Sequence, residues 1–127
     1  MDCSGVGNFA YSNLLLILSH KPYDGSDVIW NALRMADTAL GLGHSVNIFV
    51  MNDAVDITKA GSKPEGFEFD LGTMLQEAEK KGAQIKLCTT CINRCGIAKG
   101  SLLNQSWPAS MKDLVQWTAD SDKVVTF

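Results

Sequence analysis

The chain lacks several features that would decide its function outright. It has no basic excess: 11 Lys and Arg stand against 14 Asp and Glu, for a net charge of −3, and the lysines are scattered. A nucleic-acid surface needs clustered cations, so no direct nucleic-acid binding is expected. No apolar run approaches the roughly 18–20 residues of a membrane span, and no membrane association is expected. The opening Met1-Asp2-Cys3-Ser4-Gly5-Val6-Gly7-Asn8 has neither the basic nor the apolar region of a secretory leader. A cytoplasmic, reducing location is the expectation. No Ser–His–Asp order is legible. Gly5-Val6-Gly7 precedes the first apolar run instead of following it, unlike a phosphate-cradling loop. Only two histidines occur, His20 and His44, so imidazole ligands are scarce.

What remains is a globular composition. The 127 residues are 46% apolar and 20% charged, enough for one domain with a real core. Residues 1–12 are small and polar and read as a flexible N-terminal tail, with the domain spanning 13–127. The continuous run Asn13–Ser19 fits a strand buried on both faces, and Ser45–Met51, rich in Val, Ile and Phe, is a second. Between them Ser26 or Asp27 caps a helix with Ile29, Leu33, Ala36 and Leu40 at helical spacing, ended by Gly41 and Gly43. Residues 52–66 read as a long loop with a short helix near 53–59. A helix over 70–81 turns Leu71, Met74, Leu75 and Ala78 inward; Gln84–Cys88 is a third strand. A short helix over 91–98 is capped by Thr89 or Thr90. A helix over 110–119 presents Met111, Leu114, Val115 and Thr118 on one face, and residues 123–127 form a closing strand. Alternation of this kind predicts an α/β fold: a single-domain, open, mostly parallel five-stranded sheet with helices on both faces, a flavodoxin-like three-layer arrangement.

The cysteines are unevenly distributed. Cys88, Cys91 and Cys95 fall within eight residues, spaced Cys-x2-Cys-x3-Cys. Open parallel sheets bind their ligands beyond the carboxyl ends of the strands, and Cys88 closes one of them. At a helix start its thiolate would be stabilised and its pKa lowered, making Cys88 a nucleophile or sulfur carrier; a buried inert thiol is the alternative. Cys91 is spaced to pair with Cys88, and Cys95 shares a helix face with Cys91. Three thiolates also permit metal or iron–sulfur ligation, but a structural zinc site uses four ligands. The fourth would be Cys3, His20 or His44, and His44 lies at the opposite sheet end. No resident metal or cofactor is therefore expected. A thioredoxin-type pair is a third option, although the usual aromatic or Gly-Pro surroundings are missing. Arg94 is placed to face the Cys88 thiolate. Pro22, Tyr23 and Asp24 follow the first strand at the same edge and are candidates for shaping the site. Asp53 reads as a helix cap. Trp107 is either packed beneath its loop or exposed to a partner.

Several blocks, in order, resemble the DsrE/DsrF-like (TusD/DsrE) sulfur-relay family over nearly the whole chain. They are Asn31–Ala36, Leu40-Gly41-Leu42-Gly43-His44 with Val46 and Phe49, then Glu68-Phe69-Asp70-Leu71, Leu87-Cys88 through Arg94, Gly96 and Ile97, and the final Asp122–Phe127. The resemblance implies that Cys88 accepts sulfane sulfur as a persulfide and hands it to a partner thiol. It implies donor and acceptor proteins of a relay as partners, and a trimer or hexamer, or a hetero-oligomer. Cys95 stands where similar members carry a basic residue, and the added Cys91 and Cys95 open internal transfer, a resolving disulfide or metal as further roles. A non-catalytic assembly subunit is the remaining alternative.

Overall fold

A computed structural model describes residues 11–127. The elements in chain order are β1 (Asn13–Leu18), α1 (Val28–Gly41), β2 (Ser45–Val50), a 3-10 helix (Asn52–Thr58), α2 (Leu71–Lys80), β3 (Gln84–Cys88), α3 (Thr89–Arg94), β4 (Pro108–Ala109), α4 (Met111–Asp120) and β5 (Lys123–Thr126). The five strands form one parallel sheet in the order β4-β3-β2-β1-β5. The predicted α/β architecture is the observed one. Residues 1–10 of the expected tail lie outside the described residues. Of the next two, Ser12 donates its N–H to His44 Nδ1 at 2.9 Å, and Tyr11 meets the same ring edge-on.

Strand alternation sorts the sheet into two faces. Leu16, Leu18, Val46, Ile48, Val50, Ile85 and Leu87 point to one face, where α1, α2 and the 3-10 helix cover them in the main core. Helix α1 contributes Ile29, Ala32, Leu33, Ala36 and Ala39. Gly72 lets α2 approach closely, because a Cβ there would lie 2.9 Å from the Ile57 carbonyl oxygen. The other face carries Leu15, Phe49 and Cys88 and is covered by Leu114 and Trp117 of α4. A right-handed crossover to β5, on the far side of β1, requires α4 to lie on this opposite face.

Two details depart from expectation. The apolar face of α4 is rotated: Leu114 and Trp117 are buried, whereas Met111 and Val115 are 58% and 62% exposed. Trp117 sets the phase by meeting Phe49 edge-on at 6.4 Å, with Lys86 Nζ 4.6 Å from its ring centroid. The fifth strand lies inside a stretch that reads as loop. It is two residues long, on the sheet edge, where Pro108 needs no ladder partner for its missing N–H. Trp107 is 1% exposed and donates its indole N–H to Glu79 Oε2 at 2.8 Å, so it packs beneath its loop and is not a partner surface. Among the described residues no helix is long and apolar enough to cross a membrane.

The phase of α4 gives a direct test. Trp117→Ala should cost about 3–5 kcal/mol in urea unfolding, while Thr118→Ala should cost under about 1 kcal/mol. Similar losses in the two variants would contradict this packing.

Candidate functional site

The site forms where β3 becomes α3. Cys88 is both the last residue of the strand and the N-cap of the helix, so the cap is the cysteine itself and not Thr89 or Thr90. Its Sγ accepts the Cys91 N–H at 3.2 Å. The Thr89 hydroxyl turns away and donates to the Ala109 carbonyl at 2.9 Å, tying α3 to β4. Thr90 contributes its backbone N–H to Cys88. Cys91 follows on the first turn of α3, half-buried, and packs against both hydrophobic clusters.

The electrostatics correct one expectation. Burial pushes the Cys88 thiol above its ordinary value of 9.0, and the Cys91 side chain pushes it the same way. The N–H groups of Cys91 and Thr90 pull it down without cancelling the rise. A helix of six residues carries little dipole, and Cys88, 9% exposed, is packed with Leu15, Phe49, Leu114 and Trp117. Its pKa is raised, not lowered.

Arg94 is also corrected. The groups acting on Cys88 are Cys91 and Thr90, while Arg94 acts on Cys95 and lowers its pKa. Cys95 is exposed at the C-cap of α3; its partial burial, followed by Asp56 and Asp53, pushes its thiol up overall. Asp53 thus faces Cys95 from the first turn of the 3-10 helix, whose N-cap is Met51. Among the described residues no three His, Cys, Asp or Glu side chains are grouped to hold a metal ion. His20, one considered ligand, has its Nε2 2.6 Å from Asp24 Oδ2. The Ser26 hydroxyl and N–H hold the Asp24 carboxyl down at about 2. Cys3 lies outside the described residues.

Tyr23 lies on the expected edge but not with the thiols. Its hydroxyl accepts the Leu71 N–H at 2.8 Å, and its ring lines a cavity that contains none of Cys88, Cys91 and Cys95. Burial raises the Tyr23 pKa.

Asn52 is a residue of the candidate site that sequence reasoning missed. It sits just past β2 with φ of 52°, a left-handed conformation in which asparagine is enriched. That geometry aims its N–H at Cys91 Sγ at 3.2 Å, while its side-chain amide donates to Ser19 Oγ at 2.7 Å. Three strand ends are thereby joined: Ser19 after β1, Asn52 after β2 and Cys91 after β3. The one sequence signal was an Asn directly after an apolar strand, which is also ordinary turn chemistry.

The family model described as "DsrE/DsrF-like family" matches residues 12–127. The chain belongs to the DsrE/DsrF-like family. Protein YchN of Escherichia coli is 33% identical over 117 residues, covering 90% of this chain and 97% of YchN. The Methanopyrus kandleri protein MK0008 is 33% identical over 114 residues, covering 90% of this chain and 93% of that protein. In structure, E. coli YchN superposes with a TM-score of 0.80 at 30% identity, covering 91% of this chain and 98% of the other. MTH1491 of Methanobacterium thermoautotrophicum, at 16% identity and a TM-score of 0.67, covers 93% of this chain and all of its own, and shares the fold.

A raised pKa means a smaller thiolate fraction at any given pH. Alkylation of Cys88, followed by peptide mass spectrometry, should therefore rise through a midpoint above 9.0. In Cys91→Ala the side-chain contribution is removed while the lowering N–H stays, so the midpoint should fall. A midpoint below 9.0 in the wild type would refute the burial argument.

Proposed function

We propose that this DsrE/DsrF-like protein transfers sulfur through a persulfide on Cys88. One observation carries the reading: Cys88 Sγ sits at the strand-to-helix junction, held by the Cys91 N–H, with a second thiol side chain against it. The Cys88 thiolate attacks the outer sulfur of a donor persulfide, R–S–SH. A sulfur–sulfur bond forms to Cys88, the donor's bond breaks, and R–S⁻ leaves. The product Cys88–S–SH is a stronger acid than the thiol, so the Cys91 and Thr90 N–H groups favour its anion. A partner thiolate then takes the outer sulfur and Cys88 returns as thiolate, with no net oxidation.

Cys91 supplies a second exit. Its thiolate attacks the inner sulfur of Cys88–S–SH, forms the Cys88–Cys91 disulfide and expels hydrosulfide. The sulfane sulfur takes two electrons in that step, and an external dithiol must reduce the disulfide before the next cycle. Cys95 and Arg94, at the exposed end of α3, are the groups a partner protein would meet first. The donor and acceptor are proteins of a sulfur relay.

The test is to load the full chain with glutathione persulfide and record intact mass. The wild type should gain one sulfur atom, Cys88→Ser should gain none, and Cys91→Ser should hold the adduct longer and release less hydrosulfide. An undiminished adduct in Cys88→Ser sinks the assignment.

The protein is also proposed to act as a homo-oligomer, a trimer or hexamer. Met111 and Val115, one helical turn apart on α4, and Val124 on edge strand β5 are 58%, 62% and 42% exposed. Apolar groups this open are suited to a second copy. Sedimentation should give a multiple of the 13.8 kDa chain mass, and Val115→Asp should lower it; a monomeric wild type would end the proposal.

A further inference from the structure

A cavity of about 400 Å³ opens on the carboxyl edge of the sheet, away from the cysteines. Its walls are the loop after β1, the first turn of α1 and the segment entering α2. The size is that of a small-ligand site.

Its lining is unusual for a loop surface. Tyr23 meets Phe67 edge-on at 5.1 Å, and Trp30 stacks on Phe69 at 5.0 Å with 27° between the planes. Phe67 and Phe69 stay 38% and 43% exposed, rings held at the opening instead of in the core. Tyr23 has φ of 57°, a strained conformation for a bulky side chain. The Leu71 N–H donates to its hydroxyl at 2.8 Å, and that hydrogen bond holds one wall of the cavity in place.

The charge around these rings selects the ligand class. Asp27 and Glu68 line the cavity against Lys21 alone, so it carries excess negative charge and disfavours phosphates and carboxylates. Aromatic faces attract cations; the Trp30 ring is already taken by the stacked Phe69 and by the Arg34 guanidinium, whose carbon lies 4.5 Å from its centroid, which leaves the half-exposed rings of Phe67 and Phe69 to meet a ligand. We propose that this cavity binds a small organic cation with an apolar body, of the alkylated ammonium class. The aromatic rings take the apolar body and the onium face, and Glu68 and Asp27 balance the charge. The proposal is independent of the thiol chemistry, because none of Cys88, Cys91 and Cys95 lines the cavity.

The test titrates the full chain with benzyltrimethylammonium while following the tryptophan indole N–H signals by NMR. Benzenesulfonate and benzyl alcohol serve as the anionic and neutral probes. Trp30 should shift saturably with the cation, while Trp107 and Trp117, outside the cavity, should hardly move. Phe69→Ala and Glu68→Gln, both at exposed positions, should each weaken the cation by roughly fivefold or more. Three results overturn the proposal: no saturable shift at Trp30, binding of either other probe as tight as the cation, or unchanged cation affinity in the two variants.

Discussion

Parallel pairing in register is the constraint on which the rest depends. Leu18 lies opposite Val50, and Val50 opposite Leu87, so three strands end level with one another. The loops that follow them must therefore start side by side at one edge. Backbone N–H and C=O groups leaving a sheet together have lost their ladder partners and need others. Here the partners include sulfur: the Asn52 N–H points at Cys91 Sγ and the Cys91 N–H at Cys88 Sγ. The two non-glycine residues with positive φ among the described residues, Tyr23 and Asn52, both follow strands at this edge. Strain, free donors and thiols are thus gathered in one place by sheet geometry alone.

The two faces of the sheet are unequal, and this sets the environment of the thiol. One face is sealed by α1, α2 and the 3-10 helix, the other by α4. Alternation along β3 sends Ile85 and Leu87 to the sealed core and Cys88 to the thinner one. A one-residue slip in register would send Cys88 to the face covered by α1 and α2 and Leu87 to the face covered by α4. Cys91, reaching both clusters, stands at the seam between the faces.

Much of this was legible in the residues. The runs Asn13–Leu18 and Ser45–Val50 are continuous and apolar because a parallel strand is covered on both sides, and helices α1 and α2 show a clear 3.6 period. Strand β4 was not, because two residues are too few for any periodicity to register. The phase of α4 was misread because Met111 and Val115 compete with Trp117 for the inward face, and local hydrophobicity does not rank them; contact with Phe49 does. The placement of Cys88 at a strand end and of Cys91 on the helix after it followed from strand and helix boundaries. Asn52, the direction of the Cys88 shift and the reach of Arg94 did not, because each depends on which groups meet across segments distant in sequence.

The raised Cys88 pKa bears on both steps of the proposed transfer. A thiolate of high pKa is the stronger nucleophile, although less of it is present; the same basicity makes it a poorer leaving group. At neutral pH the lost thiolate fraction outweighs the gain in nucleophilicity, so the raised pKa slows the taking of sulfur onto Cys88 as well as its departure as thiolate. The groups able to ease departure are those that lower the thiol's pKa, the N–H donors of Cys91 and Thr90. In the proposed transfer, burial among Leu15, Phe49, Leu114 and Trp117 would hold both steps back, and the N–H donors of the first turn of α3 would ease them. Cys91 is placed where both converge. In the proposed transfer its N–H would assist delivery to a partner, and its thiol would compete with that partner for the bound sulfur. On this reading a partner protein must outpace Cys91, and the Asn52 N–H on Cys91 Sγ, by engaging the thiol that would otherwise attack, helps to set that race.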